Sequence, residues 1–149
     1  PLGQVSLAVT TLFWGAAATL RLLVLAWAAV ALNYDLGAAT QLTAWVALGI
    51  AIGSILAAKF IQLERATKIL PIGMTMGVAV IMLIPVTNSI VAILLLIIIG
   101  AIGGYFIVPM NALLQHRGHL LMGAGRSIAV QNFNENISIF AMLGLYALM

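Results

Sequence analysis

Between Ile90 and Leu114 the chain carries no charged side chain. About 20 such residues suffice to cross the hydrocarbon core of a bilayer as an α-helix. Blocks of this kind recur along the sequence, so neither a single anchor nor a signal peptide accounts for them. Composition makes the constraint general. Of 149 residues, 64% are hydrophobic and 6% are charged, namely six Lys and Arg and three Asp and Glu, whereas a soluble domain carries about a quarter. Such a chain cannot cover its own surface in water, which excludes a cytosolic globular enzyme and a disordered segment. The apolar runs are continuous rather than alternating, which excludes the strands of a membrane barrel. The fold class that remains is an all-α polytopic membrane protein.

Five transmembrane helices are expected. They cover about Val5–Leu32, Ala38–Ala58, Ile69–Val86, Ile90–Leu114 and Arg126–Met149. Asn33–Gly37 and Thr87–Ser89 read as tight turns, and Lys59–Lys68 and Gln115–Gly125 as longer polar connections. Pro109 is expected to kink the fourth span. The apolar sequence around Tyr146–Met149 and the start at Pro1 read as those of an excerpt from a longer protein. Lys59, Arg65, Lys68, Arg117 and Arg126 lie in or beside the two longer connections, while the short turns hold no Lys or Arg. The positive-inside rule therefore places the longer connections in the cytoplasm and the turns on the opposite side.

The same sparse charges narrow the chemistry. The net charge is +3, but the cations are scattered between apolar blocks, as topology requires and nucleic-acid binding does not. Without cysteine there are no disulfides, thiolate metal sites or cysteine nucleophiles. Two His and three carboxylates offer no protein-built metal site, and His116 and His119 read as solvated loop residues. No Ser/His/Asp set, phosphate-cradling loop or carboxylate pair is present. The expectation is a protein that is not an enzyme and needs no cofactor.

An ionisable side chain inside a span is costly unless it faces a cavity or a partner. Arg21 is one, flanked by leucines, and at 100° per residue it shares a face with Ser6, Thr10 and Trp14, beside Ala17. Small neighbours leave room for an anion, although backbone carbonyls or a carboxylate on a neighbouring helix would also satisfy the guanidinium. Glu135 is the second, in Gln131-Asn132-Phe133-Asn134-Glu135-Asn136. Gln131, Asn134, Glu135 and Ser138 share one face, with Asn132 and Asn136 at its border, and such a face cannot point at lipid. Interhelical hydrogen bonding explains the amides as well as function does; for the carboxylate we favour function. Gly49/Gly53 and Gly100/Gly104 have the spacing of close helix contacts.

Several stretches resemble one family. Ala57 to Lys68, with Glu64-Arg65, is similar to a degraded loop motif of the major facilitator superfamily, with Ala66 where that motif usually has Gly. More specific are Thr11-Leu12-Phe13-Trp14-Gly15 with Thr19-Leu20-Arg21, Val108-Pro109-Met110-Asn111-Ala112-Leu113-Leu114-Gln115 with Arg117-Gly118, and Gly123-Ala124-Gly125 with Ile128 to Asn132 and Glu135-Asn136. Together they resemble the bacterial lysophospholipid transporters. The resemblance covers essentially residues 1–149, and implies helices seven to eleven of twelve, in the C-terminal bundle. It implies transport of lysophospholipids, chiefly lysophosphatidylethanolamine, across the bacterial inner membrane to the cytoplasmic leaflet, where an acyltransferase re-acylates them. It also implies that Arg21 and Glu135 lie on the transport path, with Arg21 pairing the phosphate, Trp14 and apolar walls taking the acyl chain, and Glu135 with Gln131, Asn134 and Asn132 meeting the ammonium. A further acid of the family's charge network is expected on the first helix, outside this sequence. A transporter of another small amphiphile or drug, and a non-transporting membrane domain of an acyltransferase fusion, are the alternative readings.

Overall fold

The structure, a computed structural model, describes residues 2–148; Pro1 and Met149, the far end of the expected fifth span, lie outside the described residues. Five α-helices form: α1 (Leu2–Ala31), α2 (Leu36–Phe60), α3 (Leu70–Leu83), α4 (Ser89–Met122) and α5 (Ala124–Ala147), with a 3₁₀ helix at Leu63–Ile69. Four stretches are long and apolar enough to cross a membrane: Gly3–Ala31, Leu36–Phe60, Leu63–Leu83 and Ser89–Met122. The helix α5 is not among them, because Gln131–Asn136 dilutes its apolar sequence.

Local chemistry sets the boundaries. Asp35 caps α2, its Oδ1 accepting from the Ala38 amide at 2.8 Å. Asn88 does the same for α4, accepting from the amides of Ile90 at 2.9 Å and Val91 at 3.3 Å. Both satisfy backbone donors that a helix start leaves open. Pro71 stands in the first turn of α3, where its missing N–H costs nothing. The 14 residues of α3 would reach only about 21 Å. The seven-residue 3₁₀ segment that leads into it adds about 14 Å, enough together to match a core of about 30 Å.

Two expected connections are corrected. Gln115–Gly125 is not a loop: α4 continues to Met122, α5 begins at Ala124, and Gly123 at φ +84° is the only break. Its polar residues mark where the chain leaves the hydrocarbon, not where the helix stops, and Gln, Arg, Leu and Met favour helix. Only glycine adopts that φ without strain. Lys59–Lys68 is likewise helical over most of its length, in α2 to Phe60 and in the 3₁₀ turn from Leu63. The helix α4 also runs through Pro109, although proline leaves the Tyr105 carbonyl without its intrahelical donor.

The chain divides into two compact units, one of Leu23–Pro109 and one joining the chain up to Leu22 with the chain from Met110 onward. In the first of these, the buried face of α2 is built of small residues apart from Leu42. Ala39, Gly49, Gly53 and Ala57 of α2 are buried while Ile52, Ile55 and Leu56 are exposed, the reverse of a soluble core and the usual solution where lipid is the solvent. The two glycine pairs meet each other. A Cβ on Gly49 or Gly53 would collide with the backbone of Ile97 or Ala101, and one on Gly100 or Gly104 with that of Val46 or Ile50. The motifs therefore seal α2 against α4 within one chain. Gly73 of α3 similarly lies under the Phe106 ring.

The other unit packs the start of α1, the end of α4 and α5. Ser6 and Thr10 are fully buried, each hydroxyl donating to a carbonyl of its own helix, Gly3 at 3.0 Å and Leu7 at 3.1 Å. Gly15 lies against Ser138 and Met142 of α5, and Gly118 of α4 against Ser127 of α5.

Candidate substrate site

The candidate site residues Trp14, Arg21, Gln131, Asn132, Asn134 and Glu135 all lie in this second unit, but its helices treat them differently. The shared face on α1 splits along its length. Ser6 and Thr10 point into the packed interior, whereas Trp14 and Arg21 are exposed. The helix turns Ser6, Thr10 and Gly15 toward its neighbours and leaves Trp14 and Arg21 open. Trp14 meets Phe13 edge to face, ring centroids 5.8 Å apart. Arg21 makes no ion pair among the described residues, so the guanidinium keeps all its donors for a partner from outside them.

On α5 the polar stretch is partly inward. Gln131 is buried at 8% exposure, and its Nε2 donates to Glu135 Oε1 at 2.8 Å and to Asn111 Oδ1 of α4 at 3.3 Å. Glu135 is half-buried beside it. The i, i+4 spacing stacks Gln131 and Glu135 on one face, and α4 supplies the third group. Asn134, half-buried, turns its amide back to the Val130 carbonyl at 2.8 Å, and exposed Asn136 does the same to Asn132 at 2.7 Å. Such back-bonding satisfies an amide within its own helix. Asn132 itself is exposed. The structure thus joins Gln131 with Glu135, leaves Asn132 and Asn134 apart from that cluster, and does not pair Arg21 with Glu135.

Asn111 is the residue that sequence reasoning passed over. A signal was present: it is the one amide side chain between Ile90 and Leu114, where an unpaired polar group is expensive. Nothing in sequence tells that it meets α5.

A lone guanidinium on one helix and a carboxylate held by a glutamine amide on another are groups that bind charge of either sign, in a fold whose outer surface is apolar. The class is a polytopic helical membrane protein with polar groups embedded among its helices. Over 144 residues, 96% of its length, the chain is 49% identical to the lysophospholipid transporter LplT of Cronobacter sakazakii (strain ATCC BAA-894). It is 50% identical, over the same share, to the proteins of that name from Serratia proteamaculans (strain 568) and Yersinia pestis (strain Pestoides F). The chain is homologous to one segment of these lysophospholipid transporters and spans 36% of their length. No family model matches it, and no solved structure does.

Proposed function

We propose that this chain forms part of the C-terminal bundle of a twelve-helix transporter of major facilitator type. In this reading it carries lysophospholipids, chiefly lysophosphatidylethanolamine, to the cytoplasmic leaflet of a bacterial inner membrane, where an acyltransferase restores the second acyl chain. The observation that carries this reading is the identity of about half, across 144 residues, with proteins named for lysophospholipid transport.

The side chains suit such a cargo. A lysophospholipid has an anionic phosphate, one acyl chain and, with ethanolamine, an ammonium. Arg21, free of carboxylates among the described residues, presents a planar fork that matches two phosphate oxygens. Trp14 is seven residues away on the same face and offers an amphipathic wall for the chain. Glu135, with Gln131 beside it and Asn132 and Asn134 on the same stretch, meets the ammonium. One helix bundle rocking against the other around such a site gives alternating access.

The test is uptake of labelled lysophospholipids by vesicles containing the full-length protein, compared across head groups. Saturable uptake that prefers lysophosphatidylethanolamine and is lost in Arg21→Ala is expected. Uptake absent for every head group, or indifferent to Arg21, would remove the reading.

A further inference from the structure

The cluster around Gln131 is ordered by a residue on another helix. A carboxamide nitrogen has two hydrogens, and Gln131 Nε2 spends one on Glu135 Oε1 and the other on Asn111 Oδ1. Turned over, the amide would set its own oxygen against the acceptor-only carboxylate of Glu135 in a buried place, where an unmet polar group is costly. Gln131 is therefore oriented by the carboxylate and anchored by what faces it on both sides. On one side that is the carboxylate of its own helix. On the other it is Asn111, reached across from α4 just beyond Pro109. Among the described residues the second carboxylate oxygen, Glu135 Oε2, accepts no hydrogen bond. It is the atom left for a cation.

Resting on the lysophospholipid reading, we propose that Asn111 is a positioning residue for the head group. Through Gln131 it fixes the Glu135 carboxylate so that Oε2 meets the ammonium of an ethanolamine head group. Selection of ammonium-bearing over uncharged-alcohol head groups then depends on α4 as well as on α5. Asn111 acts as an acceptor toward Gln131, not as a donor to the lipid.

The experiment measures initial uptake rates against concentration in proteoliposomes of the full-length protein, for lysophosphatidylethanolamine and lysophosphatidylglycerol. Amounts are normalised to folded protein. Asn111→Leu removes the acceptor, and KM for lysophosphatidylethanolamine should rise about tenfold, the size of one charge-assisted hydrogen bond, with kcat little changed. KM for lysophosphatidylglycerol, which has no ammonium, should stay near that of the wild type. Asn111→Gln keeps an uncharged carboxamide oxygen for Gln131 Nε2 and should hold KM for lysophosphatidylethanolamine near the wild-type value, which also serves if Asn111→Leu does not fold. Equal losses for both lipids in Asn111→Leu, or an ethanolamine-lipid KM in Asn111→Gln raised about tenfold, overturn the proposal alone. A wild-type protein that takes up neither lipid overturns the transport reading and this inference with it.

Discussion

Arg21 and Glu135 are the two ionisable groups that the apolar sequence makes conspicuous, and the structure gives them different surroundings. Glu135 is held by Gln131 at 2.8 Å, and no ion pair joins it to Arg21 among the described residues. The idea that Arg21 is a structural counter-ion to Glu135 loses its support. The double variant Arg21→Ala with Glu135→Gln should therefore recover no uptake relative to Arg21→Ala. Arg21→Lys should lose most uptake despite keeping its charge, because a point ammonium does not reproduce the two parallel hydrogen bonds of a guanidinium. Uptake normalised to folded protein checks both, and near-normal transport by Arg21→Lys would refute bidentate phosphate recognition. Trp14 and Trp45 offer an internal control, since their exposures are nearly the same, 38% and 39%. Only Trp14 shares a face with Arg21, so Trp14→Ala should reduce uptake more than Trp45→Ala. Equal losses would show that this face does not line the path.

Between helices, the glycines carry the specificity. At Gly53 a Cβ would meet the carbonyl, carbon and Cα of Ala101, all backbone, so relief requires the two helices to separate. Gly53→Ala should destabilise the protein by about 1–3 kcal/mol, as overpacking does. At Gly77 a methyl group would have nothing within 4 Å, and the residue sits within α3. Gly77→Ala should be neutral or stabilising by up to about 1 kcal/mol, the helix preference of alanine over glycine. Thermal unfolding in detergent compares the two, and a Gly53→Ala melting curve no lower than that of Gly77→Ala would contradict the tight α2–α4 contact. Lys59 stands in the last turn of α2, where the carbonyl ends favour a cation.

For the whole chain in its membrane, the asymmetry of Lys and Arg decides orientation. The Lys59–Lys68 and Gln115–Gly125 segments should be cytoplasmic, and Asn33–Gly37 and Thr87–Ser89 should lie outside. Gln62 and Thr87 are both exposed, and the chain has no cysteine, so single cysteines at these positions report cleanly once the rest of the protein is cleared of its own. A membrane-impermeant maleimide should label Thr87→Cys in intact spheroplasts and Gln62→Cys only after permeabilisation. The opposite pattern would invert the topology.

The amino-acid sequence by itself determined the class of this protein, because the cost of placing side chains in water or in lipid is local and adds up along the chain. Continuous apolar blocks dictate helices, and the costliest exceptions, Arg21 and Glu135, are visible without a structure. Helix ends were less legible. Polarity marks where a chain leaves the hydrocarbon, so Gln115–Met122 read as loop although Gly123 alone interrupts the helix. What only the tertiary structure decided is which faces meet. On helices apolar nearly all round, hydrophobic contrast gives little guide to rotation or register. Hence nothing along the chain gives Gly49 and Gly53 their partner on α4, and Ser6 and Thr10 share a helical face with Trp14 and Arg21 although packing buries the first pair and leaves the second open. Asn111 belongs to the Glu135 cluster for the same reason: a hydrogen bond across 20 positions of sequence depends on two helices meeting at one register, and no local property of either helix records it.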